Sequence, residues 1–152
     1  MVLKDKINDD LKTALLSGNR FTGEVLRGLK ATILNEEVAT GKRDEGLDDD
    51  VIEHLIAREV KKRNESASIY DEANRPELAK DERNEAKVLT LYLPEQLPEE
   101  QINKVIFRVI DELGESNPSM MGKVIGSVKN ELGNTADGYL ISQLVKKALI
   151  KK

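Results

Sequence analysis

The sequence predicts an all-α protein of two helical bundles: an N-terminal four-helix part over residues 1–91 and a C-terminal three-helix bundle over residues 99–152, joined by a hinge at residues 92–98. Three observations carry this expectation. Charged residues make up 34% of the 152 and hydrophobic residues 39%, but aromatics only 3%, a mixture suited to amphipathic helices with aliphatic cores rather than to sheets. Apolar residues recur at helical spacing through most of the chain. That periodicity breaks at Leu91-Tyr92-Leu93-Pro94-Glu95-Gln96-Leu97-Pro98, which holds two of the four prolines. Proline cannot donate the helical hydrogen bond and disfavours helix in the residue before it, so the patterns on either side are separate helices.

In the first helix Leu3, Ile7, Leu11 and Leu15 recur every fourth residue, and Gly18-Asn19 is its stop signal. A second helix opens near Arg20 to Thr22, carries Val25, Leu26, Leu29, Ile33 and Val38, and ends before Gly41. The run Asp48-Asp49-Asp50 precedes the next apolar pattern, where acids favour the positive end of a helix dipole. It lacks the glycine and distal glutamate of a calcium loop, so a metal is not expected there. The third helix runs from about Val51 to Ala73, and Glu59 and Arg63 fall on its apolar face. Four residues apart, they read as a paired bridge within a helix interface, or else as a partly buried polar site. Asn74-Arg75-Pro76 makes a turn, with Pro76 opening a fourth helix whose stripe is Leu78, Ala86, Leu89 and Leu93, interrupted by Glu82. The third and fourth helices are expected to pair as an antiparallel hairpin with polar groups in the seam. Beyond the hinge, Ile102, Val105, Ile106, Val109, Ile110 and Leu113 define a fifth helix ended by Gly114. A sixth starts around Asn117-Pro118 and buries Met121, Val124, Ile125, Val128 and Leu132. A seventh starts near Asp137 and buries Leu140, Ile141, Leu144, Val145 and Ala148.

Several function classes drop out. The absence of cysteine removes disulfides, thiolate metal sites and a cysteine nucleophile. The start, Met-Val-Leu-Lys-Asp, is not a secretory signal, and no apolar run reaches membrane-spanning length, so a soluble, cytoplasmic protein is expected. His54, the one histidine, lies off the apolar stripe and reads as a surface residue without a second ligand or a nucleophile beside it. The serines stand in no nucleophile-elbow pattern, and Gly122-Lys123-Val124-Ile125-Gly126 matches no phosphate or dinucleotide loop. Neither a catalytic constellation nor a cofactor is expected.

Charge is uneven along the chain. Residues 1–91 hold 16 Lys/Arg against 20 Asp/Glu, whereas residues 116–152 hold six lysines against Glu131 and Asp137. The surplus of positive charge sits in the last two helices. On the sixth, Gly122, Lys123, Gly126, Lys129 and Asn130 oppose the apolar stripe. Two glycines within a helix cost about 1 kcal/mol each, and their bare backbone admits the close approach of another backbone. On the seventh, Tyr139, Gln143, Lys146 and Lys147 oppose the stripe, which makes Tyr139 an exposed aromatic among lysines. Lysines neutralise phosphates and a ring stacks on an unpaired base, so these nine residues are the candidate RNA-binding face. The alternative is a solvated face whose glycines serve helix crossing.

These residues resemble the GatB/YqeY family, and within it the small stand-alone YqeY-like proteins. The resemblance covers nearly the whole chain. It is carried by Val25-Leu26-Arg27 with Leu29-Lys30, Glu59-Val60-Lys61-Lys62-Arg63 with Glu65-Ser66, Arg75, Tyr92-Leu93-Pro94-Glu95-Gln96-Leu97, Met121-Gly122-Lys123-Val124-Ile125-Gly126, and Ala136-Asp137-Gly138 with Leu144-Val145-Lys146. It implies two all-α bundles, the second similar to the tail domain of the GatB component of the glutamine-dependent aminoacyl-tRNA amidotransferase. That enzyme converts misacylated Glu-tRNA or Asp-tRNA to the amide, a carbon-nitrogen ligase reaction in which the tail engages tRNA while other parts do the chemistry. The implied role is a non-catalytic tRNA-binding or amidotransferase-associated module in translation, with tRNA or a protein of aminoacyl-tRNA metabolism as partner. A protein-interaction adaptor without an RNA ligand is the alternative. Three positions depart from the family pattern. Asn134-Thr135 stands where glycine and a basic residue are common, Tyr139 where a basic residue is common, and Pro98 where a serine-like helix cap is common. The first two remove positive charge from the candidate face.

Overall fold

The computed structural model describes residues 2–114 and 116–150. Among them lie seven α-helices: α1 Val2–Ser17, α2 Arg20–Ala39, α3 Asp49–Glu72, α4 Pro76–Thr90, α5 Glu99–Leu113, α6 Met121–Leu132 and α7 Gly138–Ile150, with short 3-10 turns at Pro118–Met120 and Gly133–Thr135. The protein is all-α, four helices in one bundle and three in a second, and the chain divides into two compact units between Leu93 and Pro94.

In the N-terminal unit the core gathers Ile7 and Leu11 from α1, Val25, Leu26, Leu29 and Ile33 from α2, Ile52, Leu55, Ile56 and Val60 from α3, and Ala86 and Leu89 from α4. Tyr92 and Leu93 pack against this same core. The α1 to α2 link turns on Gly18, whose φ of 76° lies in the left-handed region that suits glycine, and Asn19 then caps α2 by accepting from the Thr22 N–H at 3.2 Å. Helices α3 and α4 form the expected hairpin, closed over Ala73 to Arg75, and Arg63 lies in its seam. Its Nη1 donates to Glu59 Oε1 at 2.8 Å and its Nε lies 3.7 Å from Glu85 Oε2. The paired-bridge reading of Glu59 and Arg63 holds, and α4 supplies a second carboxylate.

The apolar stripes differ from expectation at three helix ends. Leu15, Val38 and Leu78 are exposed, while Ala14, Glu37 and Ala79 take the buried positions beside them. The case of Glu37 has a clear physical cause. A carboxylate only 2% exposed needs partners, and Oε2 accepts from Lys4 Nζ of α1 at 2.8 Å and from the Leu47 N–H at 3.3 Å. These bonds hold the carboxyl below its ordinary range, Lys4 contributing most and burial opposing. The Lys42 N–H also donates to the Glu37 carbonyl at 2.7 Å, so one residue fastens α1, α2 and the loop that leads into α3.

In the C-terminal unit Ile102, Ile106, Val109 and Ile110 of α5 pack with Val124 and Val128 of α6 and Ile141, Leu144, Val145, Ala148 and Leu149 of α7. Met121, Ile125, Leu132 and Leu140 are only partly buried at its margin. Gly114 ends α5 in the left-handed region at φ 75°. The sixth helix starts later than its sequence pattern suggests, because Asn117 caps the 3-10 turn Pro118–Met120 before α6 begins. Asp137 caps α7, its Oδ2 accepting from the Leu140 N–H at 3.3 Å. The segment after the Leu93–Pro94 division is fixed to this unit by main-chain acceptors. The Leu97 N–H donates to the Thr135 carbonyl at 2.8 Å, and Gln96 Nε2 donates to the Asn134 carbonyl at 2.8 Å.

Candidate nucleic-acid interface

A helix face opposite a buried stripe is normally solvated, so what distinguishes α6 is what that face lacks. Val124 and Val128 fix its orientation by being wholly buried, which turns Gly122, Lys123, Gly126, Lys129 and Asn130 outward. These five, with Ser127, line one shallow, open depression. A Cβ built at Gly122 or at Gly126 meets nothing within 4 Å. The glycines therefore serve no helix crossing within the described residues, and their cost to α6 has no structural return there. Ser127, four residues after Lys123, joins this face. Helical spacing alone places it there, although it carries neither a charge nor a bare backbone.

The residues of α7 form a separate strip. Gln143, Lys146 and Lys147 are exposed, and none of the α7 candidates lines the α6 depression. Tyr139 is half-buried rather than exposed. A helical wheel places it opposite the apolar stripe, but it is partly covered in the fold. The nine candidates thus fall into two sets of one helix each.

Electrostatics favour an anion over both sets. Glu131 is paired with Arg108, which also holds Glu112 at 3.2 Å. Those carboxylates push the Arg108 guanidinium above its ordinary value, Glu131 foremost. Asp137 caps α7. Both acids of residues 116–152 thus have structural partners, and among the described residues Lys123, Lys129, Lys146 and Lys147 make no ion pair. Lys151 and Lys152, part of the same charge surplus, lie outside the described residues. No group of three or more His, Asp or Glu is arranged to hold a metal among the described residues, and none of their helices is long and apolar enough to cross a membrane.

A family model described as Yqey-like protein matches residues 4–149. The chain belongs to the Yqey-like protein family. The expected resemblance is therefore borne out over nearly the whole chain. Among curated relatives, "Altered inheritance of mitochondria protein 41, mitochondrial" of Kluyveromyces lactis is 29% identical over 122 residues, 78% of this chain and 64% of that protein. The protein of the same name from Pyrenophora tritici-repentis is 25% identical over 153 residues, 97% of this chain and 81% of that protein. This chain thus spans less than two thirds of the Kluyveromyces relative. These names correct the cytoplasmic expectation, because the relatives are mitochondrial proteins. Composition and apolar run length report on solubility and membrane insertion, whereas a compartment is set by address sequences that neither measures.

Proposed function

We propose that this Yqey-like protein is a non-catalytic tRNA-binding module associated with tRNA-dependent amide transfer, with the α6 face approaching the phosphate backbone. The observation that carries this reading is the pair of helical glycines, open to space, beside lysines that make no ion pair among the described residues. A bare helical backbone allows a phosphodiester chain to come close, and Lys123 and Lys129 supply the neutralising charge. Lys146, Lys147 and Gln143 extend the contact on α7, and the partly accessible Tyr139 ring supplies a stacking surface. Membership of the family and its likeness to the amidotransferase tail domain support the choice of tRNA over other polyanions.

The test is a titration of fluorescently labelled tRNA at two salt concentrations. Lys123→Glu with Lys129→Glu is expected to weaken binding about tenfold or more and to lower the slope of log K against log salt by about two. Unchanged affinity and slope in that variant would overturn the proposal. A second reading, an adaptor for a protein partner, draws on the same open glycines, since small residues four apart also admit a partner helix. A stoichiometric protein captured from the native source, with no RNA and with loss of capture in Gly126→Leu, would favour it.

A further inference from the structure

The residues around Glu37 do more than fasten α1 to α2. Between these helices lies a cleft of about 340 Å³, within the range of about 300–1,000 Å³ of small-molecule sites. Its floor is apolar: Ile7 and Ile33 are 1% and 2% exposed, and Leu34 stands at the lip, 40% exposed. Its polar wall holds the Lys4–Glu37 pair, Lys30, Asn8 and Arg43. The charge balance is one-sided. Glu37 already accepts from Lys4 and the Leu47 N–H, whereas Lys30 and Arg43 make no ion pair among the described residues. The loop backbone that carries Arg43 is fastened on either side of it, by the Lys42 N–H to the Glu37 carbonyl and the Leu47 N–H to the Glu37 carboxylate. Three cations, Lys4, Lys30 and Arg43, thus share the single carboxylate of Glu37 beside an aliphatic floor, a positive excess that suits an amphiphilic anion.

We propose that this cleft binds a small organic anion, a carboxylate or phosphate monoester carrying an aliphatic tail of several carbons. The headgroup sits on Lys30 and Arg43, and the tail covers Leu34, Ile33 and Ile7. The site is built entirely from the N-terminal unit, so it stands apart from the tRNA proposal, and the failure of either leaves the other in place.

Hexyl phosphate and hexanoate are the probes, titrated into the full-length ¹⁵N-labelled protein and followed by amide chemical shifts, with 1-hexanol and inorganic phosphate as controls. Shifts confined to Lys4 to Asn8, Lys30 to Leu34 and Arg43 are expected. The better-binding amphiphile should exceed both controls by about fivefold or more, since head and tail each contribute. Which amphiphile binds tighter names the headgroup. Lys30→Glu with Arg43→Glu, both exposed side chains whose replacement leaves the core intact, is expected to weaken binding about tenfold or more with an unchanged far-UV circular dichroism spectrum. Hexanol binding as well as the anions, shifts spread over the lysines of α6 and α7, or full binding by the double variant would each overturn the proposal.

Discussion

Tyr92 shows how one side chain settles a question that its sequence neighbours leave open. Its position beside two prolines marks a break in the helices, but its hydroxyl donates to Asp10 Oδ2 at 2.6 Å, 82 residues away, and Lys6 Nζ stands 5.3 Å from its ring centre. Burial foremost, and then the Asp10 bond, keeps the phenol protonated well above its ordinary range, while the same bond, foremost, holds Asp10 below its own. Tyr92→Phe is expected to destabilise the protein by about 1–2 kcal/mol in urea unfolding, since the lost bond is to a charged acceptor at a partly buried site. Asp10 and Glu37 also set an acid response. Both carboxyls lie lower in the folded chain than their unfolded values of 3.8 and 4.5, so their contribution is present above those values and is lost as pH falls through the lower folded ones. Stability measured from pH 6 down to about pH 3 should fall, and more shallowly in Glu37→Gln, which no longer titrates. Tyr92 is legible in the sequence as part of a helix break. Its acceptor lies on a distant helix, and no local pattern encodes that pairing.

Helix α6 is the most legible of the candidate elements, because its apolar stripe fixes which residues face outward. What the stripe does not reveal is whether the outward glycines touch anything. With open space at both Cβ positions, Gly126→Ala and Gly122→Ala are each expected to stabilise the protein by about 0.5–1 kcal/mol through the reduced entropy of the unfolded chain. If a phosphate backbone approaches there, the same substitutions weaken tRNA binding. Higher stability with lower affinity therefore separates an approached surface from an idle one, by thermal melting and titration of the same samples. In the α3–α4 hairpin the opposite holds: Glu59 and Arg63 are readable as an intrahelical pair, but Glu85 reaches them only across the seam. Nearby Glu82 is pushed above its ordinary range, chiefly by burial and then by Glu85, with Arg63 opposing. Arg63→Ala removes the cation that stands among these acids and is expected to cost about 2 kcal/mol at pH 7. The loss should shrink as pH falls and the raised Glu82 carboxyl takes up its proton, a difference that urea unfolding at pH 7 and about pH 4 will show.

Each unit has a hydrophobic core made only of its own residues, Leu26, Ile52 and Ile56 at the centre of one and Ile106, Val128 and Ile141 at the centre of the other. A chain of residues 94–152 is therefore expected to unfold cooperatively on its own when followed by circular dichroism, and a featureless, non-cooperative melt would count against separate folding of the two parts. Such a domain is small enough to be marginal; Ile106→Ala within it should cost about 3 kcal/mol and abolish the cooperative melt. Seven helices, their order, the break near Pro94 and the basic surplus of the last two helices followed from spacing, proline and charge, because helical periodicity and backbone chemistry act over a few residues. Spacing could not say that Glu37 rather than Val38 would be buried, since that depends on Lys4, 33 residues away. Nor could it say that Glu131 and Asp137 would be occupied elsewhere, or that Lys30 and Arg43 would share a cleft. Apart from the local cap at Asp137, those outcomes rest on distances between segments remote in the chain, and they decide which charges remain available to a ligand. Local sequence settled which faces the helices present, and packing settled which of the polar groups on those faces already have partners.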